Sequence, residues 1–404
     1  MKSVQIVGAG FSGLTLAYYL VKRGFRVTIF DKAERPGGLI ETVHHQLGQI
    51  ETAANALMSD GRVEELFEDL DIDFADRKPT AKRKYIYWDE PKRWPLSWST
   101  SWLAMKLAFQ TMWDRESLMM PSKGESIKSW ACALVNSEFE ERLVTPALQG
   151  IYAGDSARMS SSLILKSIFK NKPPKGKQKG SVAPHHGMGD LIQGLVVRLK
   201  EEGVDFHFDF KVDIPATPPG PLVISTAAWS AGDLLASALP EVSRVLKRCE
   251  PLPLIRVTAF FKPDSRDLQG FGCLFPKSQG FRSLGVLFND AIFENRSEVR
   301  SESWILGGAF ELNAVTWSDH EVLEMIRHDR HRLYGYDGQP LATHISRWSK
   351  ALPHYTVEWE RELKNLSVKP PFYLHGNYLG QLGLSRILGA SERLAERIAG
   401  DYGN

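Results

Sequence analysis

Cysteine is scarce in this chain. Cys132, Cys249 and Cys273 are the only three among 404 residues. They lie far apart, are odd in number and form no Cys-x-x-Cys pair. That excludes a disulfide framework and a thiolate zinc site, and it favours a reducing compartment. Long apolar runs are missing too. No stretch of about 18 uncharged apolar residues exists, so no spanning helix is expected. The N-terminus offers one Lys and then glycines where a signal peptide needs an apolar core, so no leader is expected. Nor is there an excess of charge of one sign. The 50 Lys and Arg against 48 Asp and Glu leave +2, too little to argue for a nucleic-acid partner. There is no His-Glu-x-x-His and no Gly-x-Ser-x-Gly. Neither a zinc hydrolase nor a serine hydrolase is indicated, and no metal site is expected.

What is present reads as an ordinary globular protein, 43% hydrophobic and 24% charged. The length allows two or three domains and a large core. The strongest signal comes first. The apolar run Val4-Gln5-Ile6-Val7 enters Gly8-Ala9-Gly10-Phe11-Ser12-Gly13, a Gly-x-Gly-x-x-Gly. Residues 14–23 read as a helix, and Arg26-Val27-Thr28-Ile29-Phe30-Asp31 as a second strand ending in an acid. Gly8 allows the tight turn, Gly10 lets backbone approach a pyrophosphate, and Gly13 lets helix pack on strand. Phe11 and Ser12 open the helix, whose free N–H groups and partial positive charge suit phosphate. Asp31 stands near the position where an acid accepts a ribose hydroxyl. That acid disfavours a 2′-phosphate.

Further along, residues 59–80 read as an acidic helix. Residues 82–170 read as mostly helical after a short Tyr85-Ile86-Tyr87-Trp88 strand. Residues 94–113 are dense in aromatics: Trp94, Trp98, Trp102, Phe109 and Trp113. These suit core packing or the interface of a membrane, where Trp rings settle. Residues 170–180 are basic and rich in Pro and Gly, as in a solvated, mobile linker or a contact with anionic lipid or substrate. A helix over 190–202 leads to a strand at 204–208 and a buried strand at 222–226. Strands at 255–261, 284–288, 304–310 and 342–348 with a helix at 319–333 predict a mixed sheet. A strand at 372–377 and a helix at 391–398 close the chain.

The second cluster, Asp31-Lys32-Ala33-Glu34-Arg35-Pro36-Gly37-Gly38-Leu39-Ile40, carries a Gly pair that NAD dehydrogenases do not need. It resembles the amine-oxidase superfamily, where Gly-Gly and a nearby Arg meet the phosphates of FAD. Four more segments narrow the resemblance. They are Leu143 to Asp155 (Leu-Val-Thr-Pro-Ala-Leu-Gln-Gly-Ile-Tyr-Ala-Gly-Asp) with Met159-Ser160, His185-His186-Gly187-Met188-Gly189-Asp190-Leu191, Arg347-Trp348-Ser349-Lys350-Ala351-Leu352-Pro353-His354-Tyr355, and Gly376-Asn377-Tyr378-Leu379-Gly380 running through Ile387. In this order they resemble the protoporphyrinogen oxidases and their close relatives, the flavin-type coproporphyrinogen oxidases.

The resemblance implies an α/β chain, α+β overall, in three parts. A discontinuous Rossmann-type FAD-binding domain would take 1–58, 181–240 and 365–404. A mixed-sheet substrate domain would take 59–84 and 241–364. A helical domain over 85–180 would face a membrane. By the same resemblance Gly8, Gly10, Phe11, Ser12, Gly13, Asp31, Lys32, Arg35, Gly37, Gly38 and Leu39 would hold the cofactor. Val212 would flank the adenine and Thr226 the pyrophosphate. Gly376, Asn377, Leu384 and Ser385 would lie near the ribityl chain or flavin ring.

The implied reaction is oxidation of a porphyrinogen, most simply protoporphyrinogen IX, in heme biosynthesis. The flavin takes a hydride from a bridging carbon while a pyrrole proton leaves. Three such rounds aromatise the ring, with O2, giving peroxide, or a quinone as acceptor. Such a substrate needs apolar walls and one or two cations. Lys92 and Arg93 are the candidates, with Arg158 and Arg347 behind them. No protein side chain is assigned a catalytic role. His185, His186 and His354 are expected to be structural or surface groups.

The chain departs from the family pattern in three places. Ala53 and Ala54 follow Glu51 where a Gly is usual, Arg386 stands in place of a Cys, and Leu96-Ser97-Trp98 follow Pro95 where an Arg or Asn is common. These leave the substrate open. Coproporphyrinogen III oxidation, another FAD oxidoreductase of the superfamily and a non-catalytic flavin- or porphyrin-binding protein remain the alternatives. A cytoplasmic location is expected, with peripheral membrane contact and a homodimer left open.

Overall fold

The computed structural model describes residues 2–94, 121–170 and 173–402, with side chains undescribed at 166–170. The residues expected after Pro95 to meet a substrate, and most of the aromatic run, lie outside the described residues.

Two sheets organise the chain. The first has five parallel strands in the order Phe372–Leu374, Leu222–Ile224, Ser3–Val7, Arg26–Phe30, Asp205–His207. Its strands are short; Leu222–Ile224, Ser3–Val7 and Arg26–Phe30 are rich in Val and Ile whose side chains alternate between two faces, while Asp205–His207 forms a more exposed edge. Val4, Ile6, Val27 and Ile29 point into one core with the helices Phe11–Val21, Met188–Glu201 and Leu384–Tyr402. Val7, Leu222 and Ile224 point into a second core, shared with the helices Ala228–Leu234 and Pro240–Leu246. The strands come from four separate stretches of sequence, so the nucleotide unit is assembled only when the whole chain folds.

The second sheet has seven strands in the order Ala342–Pro353, Pro251–Phe261, Arg300–Gly307, Gly285–Phe288, Gly272–Leu274, Lys84–Trp88, Glu90–Arg93. All neighbours are antiparallel except Gly272–Leu274 with Lys84–Trp88. Helix Asp319–Tyr334 covers one face, with Ile255, Val257, Phe275, Phe288, Trp304, Val322 and Ile326 in a common core. Ser318 starts this helix in a reciprocal capping box with Glu321, which satisfies two otherwise orphaned backbone donors. The other face carries helix Thr145–Tyr152, whose Gly150 lies against Leu274, and meets segment 52–55 through Arg256 and Trp348.

The α/β class, the Rossmann-type unit, the mixed sheet and the helices agree with expectation. Two local readings change. The last helix starts at Leu384, so Leu384, Ser385 and Arg386 form its first turn rather than a loop. The basic stretch, in its described part, is fastened rather than free. The Lys177 and Gln178 N–H groups donate to Glu64 at 2.8 and 2.6 Å, and Pro174 O accepts from Gly61 at 3.0 Å. The Lys177 N–H leads in holding the Glu64 carboxyl below its ordinary range.

Candidate cofactor and substrate site

The first glycine turn is built as the spacing predicts. Gly8 has φ +116°, and a Cβ there would lie 2.5 Å from the Ser225 carbonyl oxygen. A Cβ on Gly13 would run into the Gly8 carbonyl, so helix and strand touch through bare backbone. Gly10 differs: a Cβ there would meet nothing within 4 Å. The open space lies at the N-terminus of helix Phe11–Val21, which has no side-chain cap and no acid in its first turn. Its first N–H groups have no intrahelical acceptor and are left for an anion.

The second glycine pair closes on the first. Gly37 N–H donates to Ala9 O at 2.8 Å, and Gly10 and Gly37 form a bridge. Asp31 accepts from Ala9 N–H at 2.6 Å and from Ala33 N–H at 2.9 Å, which fixes the acid beside the turn while lone pairs remain for a hydroxyl. Lys32 is exposed. Arg35 pairs with Glu41 at 2.8 Å and reaches the Ile40 carbonyl at 3.3 Å, so it faces the outer side of the turn. Leu39 contributes its carbonyl to Thr52 Oγ1 at 2.8 Å. Val212 is half-buried against the second core.

Thr226 and Gly376 complete the rim. The Thr226 side-chain methyl lies beside Gly8 and its carbonyl oxygen beside Gly376, the latter at φ +156°. Ser225 Oγ and Tyr378 Oη are buried there without a partner among the described residues. Asn377 O accepts from the buried Tyr355 hydroxyl. Ser385 Oγ donates to Met58 O, so it ties the terminal helix to strand Leu57–Met58. Next to Gly376, His375 Nε2 lies 2.8 Å from Ser391 Oγ, which lies 2.8 Å from Thr15 Oγ1. This buried chain joins the C-terminal segment to the first helix. Burial pushes the His375 imidazole down to about 4. A turn of bare backbone, an uncapped helix end, a placed acid and two orphaned hydroxyls at the rim fit an adenine dinucleotide with a further ring system.

The other motifs meet at the junction of sheet and helices. Met159 bridges to Thr356, and Ser160 N–H donates to Tyr355 O at 2.8 Å. His354 is buried between Glu250, 3.3 Å from Nδ1, and the Asp155 N–H, 3.3 Å from Nε2. Burial lowers its pKa, and Glu250 opposes the shift. Arg158 is spent on Glu250 at 2.7 Å, and Arg347 on Trp317 O and Asp319. His185 is half-buried against the exposed His186. The Met159, Ser160 and His354 contacts tie the segment 143–160 to residues 354–356.

Lys92 and Arg93 sit on the outermost strand of the seven-stranded sheet, and pairing places them on opposite faces. Lys92 falls in one row with Ile86, Leu274, Gly285, Ile305 and Arg256. Five strand spacings separate its ends, about 24 Å at ~4.8 Å each. Helix Thr145–Tyr152 presses on the middle of that row, where a Cβ on Gly150 would strike Leu274. Lys92 therefore stands at the far end of that row from segment 52–55. At the near end is Arg256, a residue the motifs did not single out. Arg256 donates to Ala53 O, to Asn55 Oδ1 and, at 3.0 Å, to Ser303 Oγ. Trp348 Nε1 donates to Thr52 O at 3.2 Å alongside. The segment 52–55 thus links the Gly37–Leu39 turn to the substrate sheet.

Residues 6–70 match the NAD(P)-binding Rossmann-like domain family. Protoporphyrinogen oxidase 2, chloroplastic/mitochondrial, of Arabidopsis thaliana is 25% identical, covering 98% of this chain and 94% of its own. Coproporphyrinogen III oxidase of Bacillus subtilis (strain 168) is 22% identical, with 95% of each chain covered. The chain is similar to these oxidases along nearly its whole length. The resemblance read from the motifs therefore runs the length of the protein. Among solved structures, cyclohexylamine oxidase from Brevibacterium oxydans IH-35A superposes with a TM-score of 0.73 at 16% identity over all of both chains, which shows the shared fold. Cradle, fold and relatives together give an FAD-dependent oxidoreductase. No helix among the described residues is long and apolar enough to cross a membrane.

Proposed function

We propose that this protein oxidises a porphyrinogen to a porphyrin in heme biosynthesis. The observation that supports the reading is that motifs scattered from residue 4 to residue 387 are tied to one another in the fold: Gly37 to Ala9, Met188 to Glu51, Met159 to Thr356, Trp348 to Thr52 and Tyr355 to Asn377. FAD, when bound, supplies the hydride acceptor and passes electrons on to oxygen or a quinone. The chain's residues do the positioning. Gly8, Gly10, Gly13, Gly37 and Gly38 let backbone approach the pyrophosphate, and the N–H groups at Phe11 and Ser12 meet its charge. Asp31 takes a ribose hydroxyl, Val212 flanks the adenine, and Thr226, Gly376 and Asn377 line the rim. Leu384 and Ser385 seat the terminal helix beside it. Half-buried Leu254, Leu274, Leu287 and Ile305 on the inward face of the sheet supply apolar wall. A reducing cytoplasmic setting suits the three free thiols.

The relatives name both protoporphyrinogen and coproporphyrinogen III as substrates, and the test offers both. Purified FAD-loaded protein in air receives each porphyrinogen in turn, and porphyrin fluorescence is followed above the autoxidation blank. A rise with either establishes the oxidase, and the faster one is its substrate. Bound flavin with no rise for either leaves a different flavin substrate or a binding role.

A further inference from the structure

Four arginines are buried around the seven-stranded sheet: Arg256, Arg296, Arg300 and Arg330. Three have carboxylates. Arg296 lies 3.6 Å from Glu51, Arg300 lies 3.0 Å from Glu302, and Arg330 lies 3.1 Å from Glu302. Among the described residues, Arg256 has none within salt-bridge distance. Its partners Ala53 O, Asn55 and Ser303 are all neutral, and its Nε is buried without an acceptor. The acid that acts on it most, Glu51, is already engaged by the Met188 N–H, Thr42 Oγ1 and Arg296. Burial pulls the Arg256 guanidinium down to about 10, which keeps it charged at neutral pH. A buried cation with neutral partners costs far more than its hydrogen bonds return. The residue stands at the seam between segment 52–55 and the sheet, with half-buried Ile305 and Leu254 as its neighbours on the same face.

We propose that Arg256 receives an anionic group of the substrate, a carboxylate of the porphyrinogen docking against its guanidinium at this seam. The inference rests on the porphyrinogen reading. Arg suits the task because its planar fork pairs a carboxylate through parallel N–H donors. Asn55 and Ser303 then act as positioning residues. Both accept from Arg256 Nη2, and Asn289 supports both, its Oδ1 accepting from Asn55 Nδ2 at 3.0 Å and its Nδ2 donating to Ser303 Oγ at 2.9 Å.

The test uses FAD-loaded wild type, Arg256→Gln and Arg256→Lys. Each is titrated with coproporphyrin III and with protoporphyrin IX by tryptophan-fluorescence quenching. FAD content, melting temperature, KM and kcat are read in parallel. The wild type also receives a porphyrin whose carboxylates have been converted to amides. The expected result is a ~10-fold or greater loss of affinity in Arg256→Gln, only partly recovered in Arg256→Lys, which keeps the charge but not the planar fork. KM should rise, with kcat and FAD content little changed, and the amide should bind as weakly to wild type as the acid does to Arg256→Gln. Wild-type affinity in Arg256→Gln overturns the inference alone. So does equal binding of acid and amide by wild type, an arm that needs no variant to fold. A wild type that binds neither porphyrin overturns the porphyrinogen reading and this inference with it. A lower melting temperature and lower FAD content, with affinity per flavin unchanged, assigns Arg256 a purely structural role and overturns the proposal.

Discussion

The two faces of the seven-stranded sheet treat buried charge in opposite ways. Under helix Asp319–Tyr334, Glu302 is fully buried. It accepts from Arg300 at 3.0 Å, Arg330 at 3.1 Å, Tyr334 Oη at 3.0 Å and Trp304 Nε1 at 3.1 Å. Asp290 and Asp267 stand behind the two arginines at 3.6 and 3.4 Å. Each arginine of that cluster has carboxylate partners, although Arg300 Nη1 and Arg330 Nη1 are left without a hydrogen bond among the described residues. On the opposite face Arg256 meets only neutral groups. A closed network serves stability and register, because losing one member strands the rest. An open one serves something not yet there. The closed face holds the sheet to its helix, and the open face meets segment 52–55.

Breaking the closed face should have the largest effect. Glu302→Gln leaves two buried guanidinium groups short of their shared acid, and we expect a loss of about 3–5 kcal/mol in denaturant unfolding. FAD binding should persist at temperatures where the variant remains folded. A change below about 1 kcal/mol would show that Asp290 and Asp267 alone suffice.

The cofactor side has its own buried ionisable group, and its effect should follow. His375 titrates near 6.5 when unfolded and at about 4 when folded, chiefly through burial. The native state therefore refuses a proton that the unfolded state takes. Its contribution to stability is full above pH 6.5 and is lost as pH falls toward 4, by about 3 kcal/mol. Melting temperature measured across that window should decline in wild type and decline less in His375→Asn. Parallel profiles would contradict the assignment.

Ser318→Ala removes the capping box on the closed face without touching charge. It should cost about 1 kcal/mol, read as a small downward shift in melting temperature. The smallest expected shift belongs to Arg256→Gln. It removes an uncompensated cation together with the hydrogen bonds that held it, so stability should stay within about 1 kcal/mol of wild type. A large loss would mean that the open face is as structural as the closed one.

The glycine turns and Asp31 were legible because their chemistry is local. Gly8, Gly10 and Gly13 act within one turn, and Asp31 lies 22 positions from the Ala9 N–H it accepts. The sheet was legible as apolar runs, although its strands extended further than the runs, to Pro251 and Pro353. The start of the terminal helix was hidden, because Gly383 and the polar Ser385 and Arg386 mimic a loop. Arg256 was hidden for a different reason. Its partners stand 203, 201 and 47 positions away, and only folding joins them. One signal was available: an arginine in the middle of Leu254-Ile255-Arg256-Val257-Thr258-Ala259-Phe260-Phe261, where a charge is costly on either face. Lys92 drew attention through its neighbour Trp94, yet its strand lies at the far edge of the sheet.

The most direct test of the central claim is the reductive half-reaction without oxygen. FAD-loaded protein is mixed anaerobically with one equivalent of coproporphyrinogen III or protoporphyrinogen IX, and the yellow flavin absorbance is followed. Rapid bleaching with at least one of the two, reversed on admitting air, is the predicted result. Flavin that stays oxidised with both would contradict a porphyrinogen oxidase, however well the cradle holds its cofactor.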